Sequence, residues 1–308
     1  MAVRQRSGST SLLGPRSVNE DSFELSDMSR DGGDVLAVLA VADGMGGLSG
    51  GDVASATAIE AVRAAFVSGG RGQEIAEVPS LVDGMIRDLA SARGSEMGTT
   101  LTAALVDGGE ATVVHVGDTR AYVVHGGAIS QITEDHSRVG RLLAEGVLTE
   151  AEAMTHPDQN VLERALGAGE STSDVYRIGI GPGDLLFICS DGLHTFVESS
   201  EIGFELENNA SLQSACERLA RLAEERGSDD NITAVAWEYP SPQQPGDGHN
   251  AAPTNTIITR RGLETDTVGF DGLAGAATGA KSVGLAVIVA ACFFAGLALG
   301  LIASVVFS

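Results

Sequence analysis

Apolar residues along the chain fall into short blocks separated by glycine-bearing turns, followed by one long block at the C-terminal end. Val35–Ala42 is a continuous apolar run, short enough for a strand buried on both faces. Thr99–Val106, Ala111–Val116, Ala121–Val124, Leu185–Cys189 and Ile232–Trp237 predict further strands. Helical spacing occupies Asp52–Val67, Pro79–Ala92, Arg138–Glu145 and Leu212–Arg226. Gly227 follows the last of these, where a left-handed terminal residue is favoured. Short turns such as Asp107-Gly-Gly-Glu110 and His125-Gly-Gly127 suit antiparallel pairing better than parallel crossovers. Residues 1–239 are therefore expected to form one α+β domain.

Past Tyr239 the pattern changes. Pro240-Ser-Pro-Gln-Gln-Pro-Gly-Asp-Gly-His-Asn250 has the proline, glycine and polar content of a linker, and residues 240–282 are read as one. Val283–Phe307 then runs for 25 residues without a charge. At about 1.5 Å per residue it spans a hydrocarbon layer of roughly 30 Å with some tilt. A single C-terminal transmembrane helix is expected. Arg260, Arg261 and Lys281 precede it and only Ser308 follows, which favours a cytoplasmic N-terminal domain. Met1–Arg16 has basic residues but no apolar stretch of signal-peptide length, in agreement with that orientation.

Charge and cysteine content narrow the function classes. With 42 acidic against 19 basic residues the formal net charge is -23, which argues against nucleic-acid binding through phosphates. Three widely spaced cysteines, Cys189, Cys216 and Cys292, make neither a disulfide framework nor a zinc site. A reducing compartment is expected.

The acidic residues are patterned. Four apolar strands abut an aspartate with glycine or asparagine beside it: Asp43-Gly44, Gly117-Asp118, Asp191-Gly192 and Asp230-Asn231. A fifth cluster, Asn19-Glu20-Asp21, precedes the first strands. One Asp-Gly pair alone reads as a turn. Five such sites, held at strand ends, can converge. Converging carboxylates repel and need a cation, and an oxygen-rich donor set prefers Mg²⁺ or Mn²⁺ to zinc.

These residues, in order, carry a resemblance. Arg16-Ser-Val-Asn-Glu-Asp21, Val41-Ala-Asp-Gly-Met-Gly-Gly47, Gly98-Thr-Thr100, Gly117-Asp-Thr-Arg120, Ala165-Leu-Gly167, Ser190-Asp-Gly-Leu193 and Asp230-Asn-Ile-Thr233 resemble the motifs of the PP2C-type (PPM) protein phosphatases. The resemblance covers about Gly14 to Trp237, and the C-terminal anchor resembles the bacterial membrane-bound branch that opposes Ser/Thr kinases. It implies two antiparallel β-sheets packed as a sandwich and flanked by helices. It also implies two to three Mn²⁺ or Mg²⁺ ions and phosphorylated proteins as substrates, with Ser/Thr kinases and their targets as partners.

The resemblance also implies residue roles. Asp43 would bridge two ions, the Gly44 carbonyl would ligate one, and Asp191 and Asp230 would complete a shell. Glu20 and Asp21 would hold ligating waters or the second ion. Asp229 competes with Asp230, but the Asp-Asn-Ile-Thr match favours Asp230. Asp118, with Asp191, resembles a third-metal site, and Arg16 resembles the arginine that grips phosphate. Arg138 and Arg141 lie in a segment, Asp135–Asn160, that resembles a mobile flap. They are candidates for substrate contact, with a solvated helix face as the equal alternative.

Two metals lower the pKa of a bridging water and give a nucleophile for in-line attack on phosphorus. Met45 stands where many eukaryotic members have a histidine, so the general acid must be another group. His136 and His194 are read as structural. Gly44-Met-Gly-Gly-Leu-Ser-Gly-Gly51 lacks the Gly-Lys-Ser/Thr ending of a P-loop. The rival from another class is a catalytically inactive, membrane-tethered binding module. It predicts loss of metal aspartates, and none is lost.

Overall fold

The computed structural model describes residues 6–29, 35–46, 50–69, 72–149, 152, 156–158, 161–168, 171–241 and 259–262. Two antiparallel sheets face each other. One has the order β1 (Ser7–Leu12), β11 (Ile232–Glu238), β10 (Leu185–Cys189), β7 (Arg120–His125), β8 (Ala128–Gln131). The other runs β12 (Thr259–Gly262), β9 (Asp174–Gly179), β6 (Glu110–Val116), β5 (Leu101–Asp107), β3 (Leu36–Met45), β2 (Asp21–Asp27), with β4 (Gly98–Thr99) beside the end of β3.

Helices cover both outer faces, which explains the continuous apolar strands. In β3, Leu39 and Val41 point into the sandwich, where Val113, Tyr176, Ile188, Val235 and Trp237 meet them. Val38, Ala40 and Ala42 point outward, against α1 (Gly51–Val67) and α2 (Gly72–Arg93). A strand covered on both faces has no reason to alternate. The other sheet is covered in the same way: Phe187 and Ala234 pack against α5 (Ser199–Asn208) and α6 (Leu212–Glu225). Two short helices, α3 (Arg138–Ala144) and α4 (Asp191–His194), stand near the strand ends.

Several boundaries differ from the sequence reading. The second helix starts at Gly72, not Pro79, and carries Pro79 inside. A proline forfeits one backbone bond, but buried Ile75, Val78, Val82 and Ile86 form one apolar face across it. β1, β2, β8 and β9 were not predicted as strands. β1, β2 and β8 border only one neighbour, and polar residues interrupt their few apolar ones, so no continuous apolar run marks them. Thr259–Gly262 falls inside the segment read as linker, yet pairs antiparallel with β9 from Thr259↔Arg177 to Gly262↔Asp174. β9 has an edge to offer there. Among the described residues no helix is long and apolar enough to cross a membrane. Val283–Phe307 lies outside the described residues.

A candidate metal centre

The sheets bring the acidic motifs to one end of the sandwich. Asp21 on β2 lies directly opposite Asp43 on β3, an arrangement of like charges that destabilises a strand pair unless something offsets it. Asp191 starts α4 just past β10, and Asp230 stands just before β11. Asp118 sits on the turn between β6 and β7, where Gly117 adopts φ +108.

Hydroxyl and amide side chains hold this arrangement. Thr100 N and Thr99 Oγ1 both donate to the Asp43 carbonyl at 2.9 Å, and Asp43 N donates to Thr100 Oγ1 at 2.9 Å. Thr100 Oγ1 and Thr119 Oγ1 are 2.6 Å apart, and Thr102 Oγ1 donates to the Thr119 carbonyl at 2.7 Å. The Gly98-Thr-Thr100 motif is thus a clamp joining the Asp43 strand end to the Asp118 turn. From the other side, His136 N donates to the Gly117 carbonyl at 2.7 Å, and His194 Nε2 donates to the Asp118 carbonyl at 3.0 Å. Burial pushes the His194 imidazolium pKa down to about 3, so the ring is neutral and fit for that bond. Half-buried Arg120 forks onto Asp135 with contacts of 2.9 and 2.7 Å, tying β7 to the start of the flap segment.

Ser190 Oγ donates to Asp21 Oδ2 at 2.9 Å and accepts from Thr233 N at 3.0 Å. Asn231, which is buried, accepts from Glu20 N at 2.9 Å and donates to the carbonyls of Leu13 and Val18. Asn231, Thr99, Thr100, Thr119 and Ser190 all lie in the quoted motifs, but sequence reasoning gave them no role. Polar residues beside glycine and aspartate read as turn formers until the strands they join are known. Gly44 is required by close approach: a Cβ there would meet the Gly51 carbonyl oxygen at 2.1 Å.

Not every sequence-predicted residue joins the cluster in the same way. Arg16 Nη2 donates to Asp230 Oδ2 at 2.7 Å, and its Nε donates to the Asp229 carbonyl at 2.8 Å. Asp230, not Asp229, therefore holds the guanidinium through its side chain. Glu20 accepts from the backbone N–H of Gly51 at the start of α1, beside Asp52. Arg138 pairs with Asp158, and Arg141 with Glu145 and Glu163. Among the described residues, the two flap arginines pair with these neighbours and with no carboxylate of the cluster.

Burial and mutual repulsion raise the carboxyls of the cluster. Burial pushes Asp43 well above the usual carboxylate range, and the charges of Asp21, Asp191, Asp118 and Asp230 push it further. Burial raises Asp21 to about 7, against hydrogen bonds from Thr233 and Ser190 that lower it. Asp191 is raised to about 6 by burial and by Asp230. Asp118 is raised well above the normal range by burial, then by Asp191 and Asp135. Burial also raises Glu20 and Asp230.

Asp21 Oδ1 and Asp191 Oδ1 are buried and have no hydrogen-bond partner among the described residues. Unsatisfied carboxylate oxygens amid mutual repulsion fit a divalent cation. Among the described residues no three acidic, histidine or cysteine side chains close into a ready ligand set. Mg²⁺ keeps several of its waters, so a centre for such an ion does not need one.

The cluster makes a pH prediction. A carboxyl whose folded pKa exceeds its unfolded value holds more protons when folded, so stability falls as pH rises between the two values. Asp21 and Asp191 start from 3.8 and reach about 7 and about 6. Asp135, lowered by Arg120, acts the opposite way, but only below 3.8. In excess chelator the urea midpoint is expected to fall as pH rises through this window. Saturating Mn²⁺ is expected to flatten the fall, because an ion bound only by the folded state offsets the repulsion.

Comparison with known proteins agrees with this geometry. The catalytic-domain structure of the serine/threonine protein phosphatase PstP in complex with two manganese ions superposes with a TM-score of 0.68 at 31% identity, covering 77% of this chain and 98% of that one. The crystal structure of the Mycobacterium tuberculosis phosphatase PstP/Ppp gives a TM-score of 0.70 at 32% identity, over 78% of this chain and all of that one. In sequence, the serine/threonine phosphatase stp of Listeria welshimeri is 34% identical over 213 residues, which are 65% of this chain and 84% of that protein. Residues 10–235 match the family described as Protein phosphatase 2C, and the chain belongs to that family.

Proposed function

We propose that the carboxylate cluster is the metal centre at which this chain removes phosphate from phosphoserine and phosphothreonine in proteins. The observation that carries this reading is the meeting of Asp43, Asp191, Asp21, Asp118 and Asp230 at one strand end, with two buried carboxylate oxygens left unsatisfied. Asp43, Asp191 and Asp230, with the Gly44 carbonyl, would hold the central Mn²⁺ or Mg²⁺ ions. Glu20 and Asp21 would orient their waters, and Asp118 with Asp191 would hold a third. When bound, such ions activate water and withdraw charge from phosphoryl oxygens.

This chain's residues do the rest. Arg16 offers a planar donor fork to the phosphate, suited to two oxygens at once. It now spends that fork on Asp230 and the Asp229 carbonyl, which keeps it aimed at the cluster. Water adds to phosphorus as the phosphorus–oxygen bond to the serine or threonine breaks. The departing oxygen takes a proton, leaving a free hydroxyl and inorganic phosphate. Met45 has no proton to give, so the Asp118 side of the site is assigned to that delivery.

The phosphoproteins that Ser/Thr kinases produce are the substrate class this chemistry fits. Activity sets it apart from the inactive binding module, since every metal aspartate is present. For residues 263–308, past β12, the reading is a tether leading to a membrane helix at Val283–Phe307, with the phosphatase domain in the cytoplasm. It rests on the 25 uncharged residues and the basic residues before them.

Turnover of a phosphothreonine peptide is expected to require Mn²⁺ or Mg²⁺ and to stop in excess chelator. Asp43→Asn and Asp191→Asn are expected to abolish turnover of both the peptide and p-nitrophenyl phosphate while circular dichroism stays unchanged. Asp118→Asn is expected to lose on the order of a hundredfold on the peptide but less than about tenfold on p-nitrophenyl phosphate, whose leaving group needs little protonation. Full activity in chelator, or equal losses from Asp118→Asn on both substrates, contradicts the assignment. For the anchor, fractionation of cells is expected to place the full chain with membranes and a chain ending at Tyr239 in the soluble fraction. Equal partition of the two contradicts it.

A further inference from the structure

The loop bearing Arg16 leaves β1 after Leu12 and enters β2 at Asp21. It is fastened to the strand end that carries Asp230. Asn231 Nδ2 donates to the carbonyls of Leu13 at 2.8 Å and Val18 at 3.2 Å. Gly14, at φ +59, lies so close to the Asp230 carbonyl that a Cβ would meet its oxygen at 2.2 Å. A loop pinned at both ends has little freedom to fold its side chains away. It nevertheless holds two large apolar side chains in solvent, Leu13 at 45% and Val18 at 52% exposure.

A single exposed aliphatic residue is ordinary. Here two bracket the phosphate-binding arginine on a rigid support, and their neighbours at the site are acidic. Asp229 and Asp52 are both exposed. The Asp229 carbonyl holds Arg16, and Asp52 stands close enough to Glu20 to raise it. A phosphorylated segment with acidic neighbours meets repulsion here, whereas apolar neighbours meet Leu13 and Val18.

We propose that Leu13 and Val18 form an apolar shoulder that receives an aliphatic or aromatic side chain next to the phosphorylated serine or threonine, while Asp229 and Asp52 disfavour acidic neighbours. This deepens the phosphatase reading of the site and rests on it. Leu13 and Val18 select the substrate and take no part in the bond-breaking step.

The test uses the full chain with saturating Mn²⁺, two phosphothreonine peptides of equal length flanked by leucine or by aspartate, and p-nitrophenyl phosphate, which has no flanking residue. The leucine-flanked peptide is expected to lead by on the order of tenfold in kcat/KM, the usual size of one apolar contact in a specificity pocket. Leu13→Ser combined with Val18→Ser is expected to cut that lead to under about threefold by raising KM for the leucine peptide, with kcat held. Leu13→Ile with Val18→Ile is expected to restore the lead. Equal kcat/KM for the two peptides with the unaltered chain overturns the proposal, as does a lead that stays undiminished in the double serine variant. A parallel loss on p-nitrophenyl phosphate in the serine variant overturns it too, by showing that these side chains serve the loop's fold. Absence of Mn²⁺-dependent p-nitrophenyl phosphate turnover in the unaltered chain overturns the metal-centre reading and this inference with it.

Discussion

Mutual repulsion among buried carboxylates is the constraint on which the site depends. Asp21 and Asp43 face each other across β2 and β3, and Asp191, Asp118 and Asp230 close in from three other chain segments. Left ionised without a counter-charge, such a group would push the strand ends apart. Burial and mutual repulsion push these carboxyls towards their protonated form instead. A divalent ion resolves the same conflict and frees those protons. Stability and metal binding are therefore two readings of one interaction.

The sandwich makes the cluster possible by separating two tasks. Apolar residues on both faces of β3, β5, β10 and β11 fix the strands, so the strand ends need not be optimal for packing. Around those ends the holding groups are small and neutral: Thr99, Thr100, Thr119, Ser190 and Asn231. A charged partner in their place would neutralise the aspartates and compete with the ion. Among the described residues, the one cation in an ion pair with a cluster side chain is Arg16 on Asp230, at the half-exposed rim.

Much of this was legible in the sequence. The central strands were, because both faces are covered and the runs are continuously apolar. Asp43, Asp118, Asp191 and Asp230 were legible because each follows or precedes such a run beside a glycine or asparagine. Strands that border one neighbour, β1, β2 and β8, were not, since polar residues interrupt their few apolar ones and leave no continuous run. The threonine clamp was invisible for a different reason. Thr99, Thr100, Thr102 and Thr119 act across β5 and the β6–β7 turn, and only the register brings them together. Arg138 and Arg141 were left between substrate contact and a solvated helix face, and their side chains pair with Asp158, Glu145 and Glu163.

The account's central claim is that the protons on this cluster and the metal ions compete for one set of oxygens. Calorimetric titration of Mn²⁺ into the protein near pH 6, repeated in buffers of different ionisation heat, measures that competition directly, since Asp21 and Asp191 titrate at about 7 and about 6. The account predicts net proton release on binding, together with loss of binding in Asp43→Asn. Mn²⁺ binding without proton release, or binding undiminished in Asp43→Asn, would contradict it.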